Sequence, residues 1–86
     1  MNLVISDTRS VDEGVVFDLE VRHLRHTSIT FFGMHGSIQQ PEGMFRFHEA
    51  SRLILRSEIT DSEIAQIEGE IPEILSRNFQ SISKKL

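Results

Sequence analysis

The sequence predicts an α+β fold: an antiparallel β-meander of about four strands covered on one face by a C-terminal helix. Residues 15–22 alternate between apolar and polar side chains, as a half-buried strand does. The segment QPEG, residues 40–43, is typical of a hairpin turn. After Thr60, apolar residues recur at helical spacing. The 86 residues suffice for a single domain, residues 1–86, and are too few for two.

The first two strands are predicted at Asn2–Ser6 and Val15–His23, with a polar loop between them that ends at Gly14. In the first strand, Leu3 and Ile5 share a face because alternate residues point the same way. In the second strand, the same alternation places four apolar residues on the core face: Val15, Phe17, Leu19 and Val21.

A long hairpin is predicted next, pairing Ser28–Gln40 with Gly43–Arg56. Pro41 and Gly43 suit a three-residue loop, which sets Gln40 opposite Met44. Counting outward from that pair brings together Ser37 and Phe47, Ile38 and Arg46, and His35 and Glu49. Residues 48–56 also fit the spacing of a short helix, and a bulge near Ala50 or Ser51 is a further alternative.

The second and third strands are paired in the same way, by setting Leu24 opposite Ser28. This register joins Val21 to Phe31 and Phe17 to His35. Gly33 then either makes room for Leu19 or marks a β-bulge. Together the two registers predict one core face: Val15, Phe17, Leu19, Val21, Ile29, Phe31, Phe45, Phe47, Leu53 and Leu55.

The helix is predicted over Asp61–Lys84. Thr60 and Glu63 form a capping box, in which each side chain accepts a hydrogen bond from the other residue's backbone N–H. The apolar stripe that follows would cover the sheet: Ile64, Ile67, Ile71, Ile74, Leu75, Phe79 and Ile82. Pro72 is expected to kink or break this helix.

Composition narrows the classes of function. The formal net charge is −4, which argues against indiscriminate binding to nucleic acid. The chain has no cysteine, no apolar run long enough to span a membrane and no recognisable export signal. We therefore expect a cytoplasmic protein without membrane segments or a bound cofactor.

The four histidines, His23, His26, His35 and His48, are scattered over the predicted sheet. Two of them on one face would lie about 20 Å apart at about 3.3 Å per residue. Zinc–nitrogen bonds are about 2 Å long, so we expect no metal site within one subunit. The predicted neighbours His35 and Glu49 are the weak catalytic candidates, as an acid–base pair at a subunit interface.

The other face of the predicted sheet mixes large apolar side chains with arginines, as protein interfaces do. The predicted interaction surface is Phe32, Met34, Ile38, Met44, Arg46, His48, Arg52, Ile54 and Arg56. The favoured function is a non-enzymatic protein-interaction module that forms a homodimer or binds a larger protein. Single-stranded nucleic-acid binding on the same face is the alternative, with Phe32 stacking on a base.

Overall fold

The structure is a computed structural model that describes residues 2–22 and 28–84, with side chains up to residue 77. Four strands form one antiparallel sheet in the order β1-β2-β3-β4, and two helices follow. The bounds are β1 Asn2–Val11, β2 Gly14–Arg22, β3 Ile29–Gln39, β4 Met44–Phe47, α1 Glu49–Arg56 and α2 Asp61–Lys84. The predicted α+β fold is confirmed. The turn expected around His23 and His26 lies outside the described residues.

Strand β1 continues through the segment that was predicted to be a loop. Ser6 pairs with Asp18, and pairing resumes where Arg9 meets Val16. A bulge absorbs the extra residue, with Asp7 at a φ of 53°. The polar composition of this segment suits an edge strand, whose outer side faces solvent.

A second bulge interrupts β3 and decides which of its residues face the core. Leu19 pairs with Phe31, but Phe17 pairs with Met34, so Phe32 and Gly33 both lie opposite Asp18. Gly33 has a φ of 63°, a conformation that glycine adopts without penalty. The predicted bulge is therefore present. The predicted pairings of Phe17 with His35 and of Val21 with Phe31 are both wrong, since Val21 pairs with Ile29.

The hairpin between β3 and β4 forms, with a register one residue away from the prediction. Its loop holds four residues, 40–43, because Gln39 rather than Gln40 pairs with Met44. The Gly43 N–H donates to the Gln39 carbonyl oxygen over 2.8 Å and closes this longer loop. As a result, Ile38 pairs with Phe45, and it does not pair with Arg46.

Residues 49–56 form the helix α1, so the second half of the predicted strand Gly43–Arg56 is wrong. The His48 N–H still donates to the His35 carbonyl oxygen at 2.9 Å, as a longer β4 would. The His35 N–H then donates to Ser51 Oγ at 2.9 Å. Helix α1 thus lies beside β3 in the place of the missing strand. It buries Leu55, whereas the predicted core residue Leu53 is 58% exposed.

Helix α2 begins at the predicted capping box. The Glu63 N–H donates to Thr60 Oγ1 at 3.1 Å, and the Thr60 N–H donates to Glu63 Oε1 at 3.0 Å. The helix continues through Pro72, so the expected break does not occur, and the kink stays a prediction. Neither helix of the described chain is long and apolar enough to cross a membrane.

The core lies between one face of the sheet and the helices. Of the predicted core face, Ile29 is only partly buried, and Leu53 is outside the core. The buried cluster is Val15, Phe17, Leu19, Val21, Phe31, Met34, Phe45, Phe47, Leu55, Ile59, Ile64, Ile67, Ile71 and Leu75. Leu3 and Ile5 of β1 pack against its edge and stay partly exposed.

Gly36 and Gly69 provide a matched test of this packing. A Cβ on Gly36 would collide with the Phe45 ring and come within 2.6 Å of the Arg46 carbonyl oxygen. We expect Gly36→Ala to lower the free energy of unfolding by about 2–3 kcal/mol through overpacking. A Cβ on Gly69 meets nothing within 4 Å, so Gly69→Ala should raise it by about 0.5–1 kcal/mol.

Urea denaturation measures both changes, provided that the slope of the transition is unchanged. Equal stability of Gly36→Ala and the unmodified protein would show that the Gly36–Phe45 contact is absent in solution.

Candidate interaction surface

The face of the sheet that points away from the core is called the outer face here. Alternation along the strands assigns its residues, because the neighbours of buried residues point outward. Across the sheet, Ser6, Asp18 and Phe32 lie in one row, and Arg9, Val16 and His35 lie in another. The Phe32 side chain is 74% exposed, so nothing in the described part of the chain covers its ring.

Three residues of the predicted interaction surface lie on the outer face: Phe32, Met44 and Arg46. Ile54 is also exposed, on helix α1. It follows Arg52 by two residues, which is about 200° around a helix. Because Arg52 contacts α2, Ile54 faces away from α2.

Two predicted surface residues lie on the core side. Met34 is 1% exposed, because the bulge at Gly33 reverses the alternation that would have turned it outward. Ile38 shares a face with Phe45. It lines an open groove of about 640 Å³ beside Val15 and Pro72 of the core layer. The prediction of an exposed Met34 is therefore wrong, and Ile38, although 37% exposed, lies on the core side of the sheet instead of the outer face.

Arg52 is engaged inside the molecule. Its Nη2 lies 3.0 Å from Glu68 Oε1 and 2.9 Å from Glu68 Oε2. The Phe47 N–H also donates to Glu68 Oε2 at 2.9 Å. The Glu68 carboxylate of α2 therefore bonds to α1 through Arg52 and to the outer edge of β4 through the Phe47 N–H. The Arg52 guanidinium joins the two helices and is not available as an independent surface cation.

Arg56 is also paired within the chain. Its Nε donates to Asp61 Oδ1 at 2.9 Å, and its Nη1 lies 4.0 Å from Glu49 Oε1. Both carboxylates are largely exposed, so these pairs contribute little to stability. Arg56 is accessible, but it belongs to the junction of α1 and α2 and does not lie on the outer face.

The predicted pair of His35 and Glu49 does not form. The longer hairpin loop and the start of α1 carry Glu49 to the first turn of that helix, where it faces Arg56. His35 instead lies against His48, with ring centroids 3.9 Å apart and planes inclined by 51°. Among the described residues, no hydrogen bond or ion pair joins His35 to a carboxylate, and His35 Nε2 is buried without a partner.

The two neighbouring imidazoles do not extend into a larger cluster. Within residues 2–22 and 28–77, no three side chains of histidine, aspartate or glutamate are placed to share a metal ion. The backbone of His35 is hydrogen-bonded on both sides. Its carbonyl oxygen accepts from the His48 N–H, and its N–H donates to Ser51 Oγ.

The carboxylates of the outer face are occupied by neighbours. Asp18 Oδ1 accepts from the Gly33 N–H at 2.9 Å, and Glu20 Oε1 accepts from Arg22 Nη2 at 3.1 Å. Hydrogen bonds from Arg22 and Ser28, in that order of importance, hold the pKa of Glu20 below its ordinary value of 4.5. Arg22 balances the charge of Glu20, whereas Asp18 is hydrogen-bonded to a neutral N–H and keeps its negative charge.

Two arginines of the outer face, Arg9 and Arg46, have no carboxylate partner in the described part of the chain. Arg9 was missed by the sequence because its segment was predicted as a loop. Val16 was also missed, although an apolar residue at an outward position of a strand is itself a signal. The outer face thus combines an exposed aromatic ring and valines with two unpaired cations.

Removal of Glu68 should loosen the junction of β4, α1 and α2. Glu68→Ala deletes the ion pair with Arg52 and leaves the buried-side Phe47 N–H without an acceptor. Charged hydrogen bonds of this type contribute about 1.5–3 kcal/mol, and we expect a loss of that size in the free energy of unfolding. The matched variant Glu73→Ala, at an exposed position of the same helix, should change stability by no more than about 0.5 kcal/mol.

Chemical denaturation of the two variants gives the comparison. Similar losses for Glu68→Ala and Glu73→Ala would contradict the described role of Glu68.

The pair of Glu20 and Arg22 predicts a pH dependence. A carboxylate with a lowered pKa stabilises the fold above its ordinary pKa, and that contribution is lost as the pH falls through the folded-state value. Arg22→Met should therefore raise the pKa of Glu20 toward 4.5 and reduce the acid-dependent part of stability. An NMR titration of the Glu20 side-chain carbonyl measures this pKa, and an unchanged value in Arg22→Met would rule out the pairing.

The outer face therefore has defined geometry and defined charges. Its apolar centre is formed by β2 and β3, and its unpaired cations lie on β1 and β4. No protein family, curated protein or solved structure matches this chain.

Proposed function

We propose that the protein is a non-enzymatic interaction module that binds a partner protein through its outer face. The observation that carries the proposal is the exposure of Phe32, at 74% of its surface. Burial of a phenylalanine side chain contributes about 1.5–3 kcal/mol, so an uncovered ring at the centre of a sheet is a strong candidate anchor for a partner. Val16, in the neighbouring row, adds to the apolar centre.

The charges around this centre indicate the chemistry of the partner. Asp18 and Glu20 are satisfied within the chain, whereas Arg9 and Arg46 are unpaired among the described residues. Three arginines (Arg9, Arg22 and Arg46) against two carboxylates (Asp18 and Glu20) leave the strands of the outer face with one net positive charge, on a protein whose formal net charge is −4. A complementary surface would offer an apolar cleft flanked by aspartate or glutamate side chains.

Single-stranded nucleic acid is less well matched to the same residues. Stacking on Phe32 is feasible, but only two unpaired arginines flank it in the described chain, and the overall charge repels phosphates. An enzyme based on His35 and Glu49 has no support, since the two side chains do not interact. We further propose a cytoplasmic location, in line with a chain that contains no cysteine.

Site-specific photo-crosslinking from position 32 tests the proposal directly. A photoreactive phenylalanine in place of Phe32, expressed in the source cells, should form one discrete protein adduct. The matched control places the same group at Leu53, which is also a large exposed apolar residue, 58% exposed, on the solvent side of α1. We expect no adduct of that mass from Leu53, and a weaker Phe32 adduct after charge reversal by Arg46→Glu.

With the captured partner purified, Phe32→Ser should weaken binding by at least about tenfold, as truncation of an aromatic anchor does. Leu53→Ser should bind like the unmodified protein, and both variants should keep their stability to within about 0.5 kcal/mol. Adducts that are equally strong from both positions, or no adduct from position 32, would contradict the proposal. Adducts with nucleic acid would contradict the proposal and would support single-stranded nucleic-acid binding.

A further inference from the structure

The free edge of β1 is the second uncovered feature of the molecule. In the described part of the chain β1 pairs with β2 alone, so one side of its backbone has no strand beside it. Natural edge strands are normally protected by charges, prolines, bulges or a covering element. Residues 2–6 carry none of these, because NLVIS is uncharged and regular, and the bulge comes only after Ser6.

The opposite edge of the sheet, formed by β4, is protected. Strand β4 has only four residues, and its outward Phe47 N–H is already bonded to Glu68. The two edges of one sheet therefore differ: β4 is closed by its own helix, and β1 is open over five regular residues.

We infer that the β1 edge is a homotypic interface, on which residues 2–6 of two copies pair as antiparallel strands. This interface extends the sheet sideways beyond β1, and it leaves Phe32, on β3, uncovered. The occupant is a second copy of the chain because the segment is complementary to itself, as the register shows.

Two constraints determine that register. The bulge after Ser6 limits regular pairing to residues 2–6, and directly opposed residues of an antiparallel pair must point to the same face. Maximal overlap then centres the two-fold axis on Val4. Val4 meets Val4 of the second copy on the outer side, Leu3 meets Ile5 on the core side, and Asn2 meets Ser6.

The side chains brought together suit this arrangement. Leu3 and Ile5 pack against the core but remain partly exposed, so contact with the second copy would complete their burial. Val4 is 39% exposed on the other face. The nearest acidic residue of the strand is Asp7, and the two copies of Asp7 would lie six residues apart, about 20 Å at about 3.3 Å per residue. That distance exceeds the Debye length of about 8 Å at physiological ionic strength, so repulsion between the two Asp7 carboxylates does not oppose pairing.

A pair of variants on the same strand separates this interface from a general effect on the sheet. Val4→Lys would place two ammonium groups opposite each other on the two-fold axis, which is unfavourable. Val11→Lys changes the same residue type, 42% exposed, beyond the bulge and outside the paired segment. Sedimentation equilibrium should show a dimer for the unmodified protein and for Val11→Lys. For Val4→Lys it should show a dissociation constant raised at least about tenfold.

Cysteine substitution tests the register itself, since the chain contains no cysteine of its own. Directly opposed residues have Cα atoms about 4.5–5.5 Å apart, within the range that a disulfide spans. Val4→Cys should therefore oxidise to a covalent dimer, and Val11→Cys should remain a monomer on a denaturing gel. A monomeric unmodified protein at the highest soluble concentration would overturn the inference, as would equal effects of the two lysine variants or equal oxidation of the two cysteine variants.

The outcome is independent of the proposed function. Phe32→Ser should leave the dimer intact, whereas Val4→Lys should leave the crosslink from position 32 in place. Loss of dimerisation in Phe32→Ser would show that self-association uses the outer face, and the edge interface would then be wrong.

Discussion

The bulge at Phe32 and Gly33 is the constraint on which the rest of the sheet depends. It sets two residues of β3 against Asp18 alone and reverses the alternation of everything after it. Met34 enters the core for this reason, and Gly36 comes to lie under the Phe45 ring, where no side chain fits. The same step carries His35 to the outer face, whereas Phe32 already faces outward because it follows the inward Phe31. The inward position of Met34 and the outward position of His35 are thus two results of one extra residue, and the Asp18–Gly33 hydrogen bond holds it in place.

The elements were predictable where a local signal was sufficient. The capping box at Thr60 located the start of α2, and the alternation from Val15 to Val21 identified the buried face of β2. The register of the strands was harder to predict, because it depends on loop lengths. The loop between β3 and β4 is one residue longer than predicted, and this displaces every residue pair of that hairpin. The pattern of residues 49–56 is compatible with a strand, which was the prediction, and also with a helix. In the structure the helix makes a tertiary contact with β3, because the His35 N–H donates to Ser51 Oγ.

Arginine content alone was a poor guide to the surface. Arg52 and Arg56 were expected to meet a partner protein, yet each is paired with a carboxylate of α2. Arg52 pairs with Glu68, which is distant in sequence, and Arg56 pairs with Asp61 across the junction of the two helices. Arg9, in contrast, was disregarded with its polar segment and is unpaired on an ordered strand among the described residues. A cation becomes informative about binding only after its internal partners are known, and those partners follow from the fold.

The bond between Glu68 and the Phe47 N–H has a consequence for assembly. A sheet with two open edges can add copies on both sides and grow without limit, as fibrous aggregates do. Here the Glu68 carboxylate occupies the Phe47 N–H of the second edge, so in the inferred dimer that group would not be available to a further copy on either remote side. Association would then stop at a closed, two-fold particle. For the inferred dimer, the contact that fastens α2 to the sheet would thereby also limit polymerisation.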